Sequence, residues 1–204
     1  MSAQEHWNHV YETKSSDAVS WFQPEPHTSL KLLDAAGLNR SSCVIDVGGG
    51  DSRLVDTLVD RGVECVTVLD ISAAAIARAR TRLGSRASSV NWIVADVTTE
   101  WTAAPQNFWH DRAVFHFLVE ERDRTRYVER LGRVLTPGGH AIIATFAPDG
   151  PTKCSGLPVM RYSAESLQTE LGPEFLMVQS LVEPHATPMG ATQSFLFAVF
   201  RKVE

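Results

Sequence analysis

The 204-residue sequence has only three cysteines, Cys43, Cys65 and Cys154. So odd and sparse a set argues against a disulfide framework and for a reducing compartment. Cys43 and Cys65 fall in apolar runs and read as small core residues. No C-x-x-C or H-E-x-x-H spacing occurs, so no metal is expected. No run approaches the roughly 18 apolar residues of a membrane span. The opening MSAQEHWNHVYETK lacks the apolar segment of a signal peptide. These absences predict a cytoplasmic protein with no membrane partner. Positive charge is short as well: 19 Lys and Arg stand against 24 Asp and Glu, a net charge of -5. The basic residues cluster only in RARTR (78–82) and ERDRTR (121–126), which read as solvated helix faces. No nucleic-acid surface is expected.

What is present is a chain that is 44% hydrophobic and 21% charged, with no low-complexity tract. That composition fits one domain with a full core. From Cys43 onward two periods alternate. CVIDV (43–47), VECVTVLD (63–70), VNWIVAD (90–96), NFWHDRA (107–113) and HAIIATF (140–146) read as strands. Between them, SRLVDTLVDRG, SAAAIARARTRLG and ERDRTRYVERLGRVLTPGG read as helices, the last ended by Pro137 and Gly138. Ser72 is a plausible N-cap and Gly84 a stop. The alternation predicts an α/β fold: a doubly wound parallel sheet in three layers, with helices on both faces.

After residue 147 the pattern changes to a turn-rich loop, then a short helix in SAESLQTEL with Ser163 and Ser166 as rival caps. FLMVQSLVE and TQSFLFAVFRK follow as strands joined by PHATPMGA, a connection short enough to make them antiparallel. Before the core, Trp7 and Tyr11 share a helix face, and a second helix is expected from about His27 to Ala36. The chain thus reads as a single domain, residues 1–204. Residues 1–37 form a helical cap, 41–147 the ligand-binding core, and 148–204 a lid loop, helix and terminal hairpin.

The richest stretch is VIDVGGGDSRL (44–54). A glycine turn after a first strand lets backbone N–H groups approach a ligand closely. A P-loop needs a following Lys, which is missing. A dinucleotide fingerprint needs a glycine where Arg53 stands. A carboxylate ahead of the turn, Asp46, repels a pyrophosphate and attracts an ammonium group. A cationic amino acid joined to a nucleoside satisfies these constraints, and S-adenosylmethionine (SAM) is such a ligand. Asp70 ends the second strand 20 residues after Gly50, the spacing of a ribose-binding acid. Asp96 ends the third.

These residues resemble a class I SAM-dependent methyltransferase. DVGGGDS (46–52) is similar to that family's D-x-G-x-G-x-G loop, with Ser52 in place of the last glycine. LDIS (69–72), ADV (95–97) and TPGG (136–139) match its next motifs in order. SWFQPEPHTSL and WHDRAVFHFL extend the likeness to small stand-alone bacterial members. The resemblance implies a Rossmann-like seven-stranded sheet of order 3-2-1-4-5-7-6 with strand 7 antiparallel, and SAM as cofactor with S-adenosyl-L-homocysteine (SAH) as product. It also implies cofactor contacts from Trp21, Asp46, Gly48, Gly50, Ser52, Asp70, Ile71, Asp96, Val97 and Asp111. Asp46 alternatively serves as a buried turn-former, and Asp70 as a helix cap.

The resemblance places Asp111 beside the transferred methyl group and His116 as a general base; a packed helix histidine between Phe115 and Phe117 is the other reading of His116. Substrate contacts are expected from Phe22, Arg112, Cys154, Arg161, Tyr162 and His185, with Thr187 at the same edge. Arg112 alternatively pairs with Asp111 or Asp96, and Trp21 and Phe22 alternatively serve the core. The expected function is methyl transfer to the N, O or S atom of a small molecule by in-line displacement, by a monomer or homodimer. A protein lysine or thiol acceptor, a non-catalytic SAM-binding module and an NAD-dependent oxidoreductase stand as alternatives.

Overall fold

Strand β1 (Cys43–Val47) sends Val44 to one side of the sheet and Ile45 to the other, both with no exposed surface. The two faces feed two separate apolar clusters, as expected for a sheet covered on both sides. The structure, a computed structural model, describes residues 2–203. The remaining strands are β2 (Cys65–Asp70), β3 (Val90–Val94), β4 (Gln106–Arg112), β5 (Leu135–Phe146), β6 (Phe175–Ala186) and β7 (Thr192–Lys202). They form one seven-stranded sheet of order 3-2-1-4-5-7-6, with β7 antiparallel to both its neighbours. This is the expected topology.

Among the described residues six α-helices accompany it: α1 (Ala3–Thr13), α2 (His27–Ala35), α3 (Leu54–Asp60), α4 (Ala73–Leu83), α5 (Glu121–Val134) and α6 (Ala164–Leu171). Helices α2 and α3 bury Leu30, Leu33, Leu54 and Leu58 on the Val44 face. Helices α5 and α6 bury Tyr127, Leu131, Leu167 and Leu171 on the Ile45 face. Truncating a leucine as fully enclosed as Leu58 to alanine costs about 2–5 kcal/mol.

Several boundaries differ from the sequence expectation. Helix α5 stops at Val134, before Pro137, and Leu135 already pairs with Gln106 of β4. The proline steers Thr136 away from helical backbone. Strand β6 runs on to Ala186, through Pro184, which an edge strand tolerates; the turn is only Thr187–Ala191. The loop after β5 contains a small ladder, Lys153–Cys154 against Leu157–Pro158. Ser163 caps α6 and Ser166 reciprocates, so the rival caps form one capping box. Cys43 and Cys65 are register partners at the strand starts and only half-buried, not core residues.

Candidate active site

The carboxyl ends of β1 to β6 share one edge of the sheet. There, parity decides which side chains can meet. Asp46 and His110 are register partners on β1 and β4 and share a face; Val47 and Asp111, one residue on, point to the opposite face. His110 Nδ1 lies 2.7 Å from Asp46 Oδ1, and its Nε2 lies 2.8 Å from Ser29 Oγ on α2. All three side chains are buried. The second Asp46 oxygen is also buried and has no hydrogen-bond partner among the described residues. Asp46 as a residue borders a small cavity of about 60 Å³, walled also by Trp21, Phe22, Gly48 and Arg112, and its second oxygen lies under Gly49. An orphaned carboxylate oxygen is costly unless something cationic or hydrogen-bonding completes it.

The glycine triplet has a local cause as well. Gly48 has φ +67°, and a side chain there would collide with Val114. A Cβ at Gly50 would lie 2.5 Å from both Ala75 Cβ and Asp70 Oδ2. The loop is therefore pressed against the protein's own acids and helix α4, and its backbone N–H groups are drawn into their hydrogen bonding. Gly50 N donates to Asp70 Oδ2 at 3.0 Å, and Ser72 N donates to Asp70 Oδ1 at 2.7 Å. Burial pushes the Asp70 carboxyl up to about 7 against the pull of those two bonds. Ser72, not Asp70, caps α4, accepting from Ala75 N. Each Asp70 oxygen thus keeps a free lone pair at the wall of a larger cavity.

That cavity measures about 380 Å³ and is continuous in its lining with the smaller one through Tyr11, Trp21, Val47, Gly48 and Arg112. Asp70, Ile71, Asp96 and Val97 line one end; Arg112, Phe117, Cys154 and Leu157 line the other. Asp96 holds the following turn through Oδ1, accepting from Thr98 N and Oγ1, both at 2.8 Å. Helix α1 roofs the site. Asn8 accepts from Ser72 Oγ at 2.8 Å, Gln4 donates to the Ile71 carbonyl, and Trp7 packs edge-on against Trp21 and Phe117.

Several expected site residues lie elsewhere. Asp111 is fully buried on the α5 side: Oδ1 accepts from Val114 N, and Oδ2 accepts from Phe115 N and from Tyr127 Oη at 2.7 Å. It closes the turn after β4 and does not line the cleft, because its neighbours on the strand, His110 and Arg112, take the other face. Burial pushes its carboxyl up to about 6. His116 is likewise sealed between Phe117 and Phe146, accepting from Phe146 N. Burial and the nearby Arg112 charge push it down to about 3, so it is neutral and a poor base. The packed reading of His116 holds.

Ser52 lines the smaller cavity, but its hydroxyl accepts from Leu54 N at the start of α3. Arg161 is exposed and donates to the Pro148 carbonyl, and Tyr162 is buried beside Phe115. His185 donates from Nε2 to the Ser20 carbonyl at 2.8 Å and anchors the N-terminal segment. Thr187 closes its own hairpin turn. Of the expected substrate residues, Phe22, Arg112 and Cys154 reach a cavity. Burial pushes the Cys154 thiol up to about 11, so it is protonated. The arginine runs are not all solvated either. Arg82 bonds Asp51 at 2.5 Å, Asp56 at 2.8 Å and the Ser52 carbonyl at 2.7 Å, bracing the glycine loop from behind.

Ser29 and Asn8 were not anticipated, and neither His110, noted in the cluster after the third strand, nor Tyr11 was given a role in the site. The signal for His110 was available: it lies two positions before Arg112 on β4, so both share a face, and that face is the one Asp46 occupies once β4 pairs with β1. Ser29 and Asn8 carry no local signal, since each acts across more than 60 residues of chain.

Comparison with known proteins adds an independent line. Residues 44–139 match a family model described as a methyltransferase domain. An uncharacterized methyltransferase of Mycobacterium tuberculosis is 36% identical over 116 residues, 56% of this chain and 56% of that protein. The match thus covers little more than half of that relative's length. Among solved structures, one described as "Conversion of a Disulfide Bond into a Thioacetal Group during Echinomycin Biosynthesis" superimposes with a TM-score of 0.80 at 20% identity, over 99% of this chain and 94% of that one. The N-methyltransferase NodS of Bradyrhizobium japonicum WM9, solved with SAH, gives 0.72 at 20% identity over 97% and 98%. These two establish likeness of fold. The family match spans the glycine loop and the acids that follow it, and these findings together support a class I SAM-dependent methyltransferase.

Proposed function

We propose that this chain, acting as a single methyltransferase domain, moves a methyl group from SAM to the N, O or S atom of a small molecule, releasing SAH. The observation that carries this reading is the buried, unpartnered oxygen of Asp46 beside the glycine turn. It matches the ammonium group of the cofactor's amino-acid end. Asp70 has lone pairs to spare for two ribose hydroxyls, while Ile71, Asp96 and Val97 offer an apolar wall and an acceptor for adenine. When bound, SAM supplies an electrophilic methyl on a sulfonium.

The chain's own contribution is to position the reactants and exclude water. Helix α1 and the Trp7–Trp21–Phe117 cluster cover the cleft. His116, the expected base, is neutral and sealed, and Asp111 faces away from the cleft, so neither is placed to take a proton from the acceptor. The acceptor is therefore one that arrives with a lone pair already free, as a neutral amine, a thiolate or another acidic nucleophile. The small cleft and the structural relative solved with 1,6-didemethyltoxoflavin and SAH, an N1-methyltransferase of Burkholderia thailandensis, support a small acceptor. Calorimetry with SAM, SAH and NAD tests the cofactor: SAH should bind, and NAD affinity without SAH affinity would end this reading. A labelled-methyl screen across thiols, amines, phenols and cell lysate identifies the acceptor.

A further inference from the structure

Arg112 ends β4 and stands where the two cavities meet. One edge of its guanidinium is used. Nη1 donates to the Trp21 carbonyl at 2.8 Å, and the central carbon sits 4.7 Å from the centroid of the Phe195 ring. The other edge is not. Nε and Nη2 are both buried, although other parts of the residue are partly exposed, and neither has a partner among the described residues. These two N–H groups point in parallel from the same side of the planar group. They are the fork that grips a carboxylate through two bonds.

Among the described residues, no carboxylate bonds that fork. Asp111, the adjacent acid, is turned to the opposite face and satisfied by Tyr127. Asp96 is held by Thr98. Glu183 is near enough to be felt but is bonded to Thr28 Oγ1. Cys154 is protonated and His185 is committed to Ser20. A sealed cation with its best hydrogen-bonding edge empty is costly to keep, and a bound anion is what offsets that cost.

We propose that Arg112 anchors a carboxylate of the acceptor, which is then a small molecule with one acidic group on a flat, apolar body. The word acceptor rests on the methyl-transfer reading above; the anion site does not. The flat body is inferred from the walls beside the fork, which are Trp21, Phe117 and Leu157. The cofactor also carries a carboxylate. Arg112 lines the smaller cavity with Asp46 and Gly48 and the larger one with Cys154 and Leu157 of the lid ladder; the second set assigns the fork to the acceptor, and the cofactor's carboxylate is the rival occupant.

The test titrates the full chain with benzoate, 2-sulfanylbenzoate and indole-3-acetate, each against its methyl ester, and separately with SAH and decarboxylated SAH. Wild type, Arg112→Gln and Arg112→Lys are compared, the last keeping the charge without the fork and serving should the glutamine variant fail to fold. At least one acid should bind wild type about tenfold more tightly than its ester, as expected for a bidentate charge-assisted pair. That preference should vanish in Arg112→Gln and shrink in Arg112→Lys, with SAH affinity changed less than about threefold. If no acid outbinds its ester, the anion site is refuted while SAH binding keeps the methyltransferase reading intact. If SAH weakens tenfold in Arg112→Gln and its decarboxylated analogue does not, the fork belongs to the cofactor and the proposal falls. Acid binding without any SAH binding would uphold the anion site and refute the methyl-transfer reading.

Discussion

The Nδ1 atom of His110 lies 2.7 Å from Asp46 Oδ1, and both side chains are about 2% exposed. The same ring reaches Ser29 on α2, so one imidazole ties the first loop of the sheet to the N-terminal helices. Three groups in this order could suggest a hydrolytic triad. The serine, at 1% exposure, has no access to a substrate. The array instead fixes the Asp46 carboxylate beneath the glycine loop, with its second oxygen against Gly49. Replacing His110 by alanine should cost about 1–3 kcal/mol of stability, because buried Asp46 and Ser29 lose their partner. It should also weaken SAH. Ser29→Ala should cost about 1 kcal/mol or less. Urea unfolding measures both, and an undisturbed His110→Ala would contradict the bracing role.

Asp70 predicts a pH dependence of two opposite signs. Burial holds its carboxyl up to about 7 in the folded chain, against about 4 when unfolded. Between those values the folded chain binds a proton that the unfolded chain has released. The stability this contributes is complete below about 4 and lost as pH rises through about 7. Asp70→Asn should flatten that decline. Binding runs the other way, since the ionised carboxylate is the better acceptor for ribose hydroxyls. SAH affinity should therefore rise from about pH 6 to pH 8 in wild type and stay level in Asp70→Asn, which should bind about 1–3 kcal/mol more weakly. Parallel profiles for the two proteins would remove Asp70 from the ribose site.

Asp111 should prove structural. Alanine there strands two backbone N–H groups and the Tyr127 hydroxyl in a buried setting, for a loss of about 3 kcal/mol. Asparagine, which keeps one acceptor oxygen, should cost less. Denaturant melts decide the matter: full stability of Asp111→Ala with transfer abolished would restore its catalytic assignment.

Ala113 is held at φ +73°, immediately after Arg112 and at the cavity wall. Left-handed backbone costs a side-chain-bearing residue about 1–2 kcal/mol. Glycine should relieve it and raise stability by up to about 1 kcal/mol, less whatever the unfolded chain gains in freedom. Valine should lower it by more than 1 kcal/mol, being β-branched. The two melting temperatures should bracket wild type; an order with valine highest would mean the strain is not there.

What the amino-acid sequence determines by itself is the layering. Short β-branched runs alternating with amphipathic helices leave few stable arrangements, and the acid–glycine turn with acids at the next two strand ends names the ligand's chemistry. It determines less about the side chains that act. A strand places neighbours on opposite faces, so whether Asp111 or His110 reaches the cleft depends on which β4 residue pairs with Asp46, and on what covers each face. That pairing, the arrival of Ser29 and Asn8 from helices more than 60 residues away, and the stranding of one edge of Arg112 are outcomes of packing. Periodicity is local and survives in one dimension. The meeting of two surfaces does not, and only the folded chain decides it.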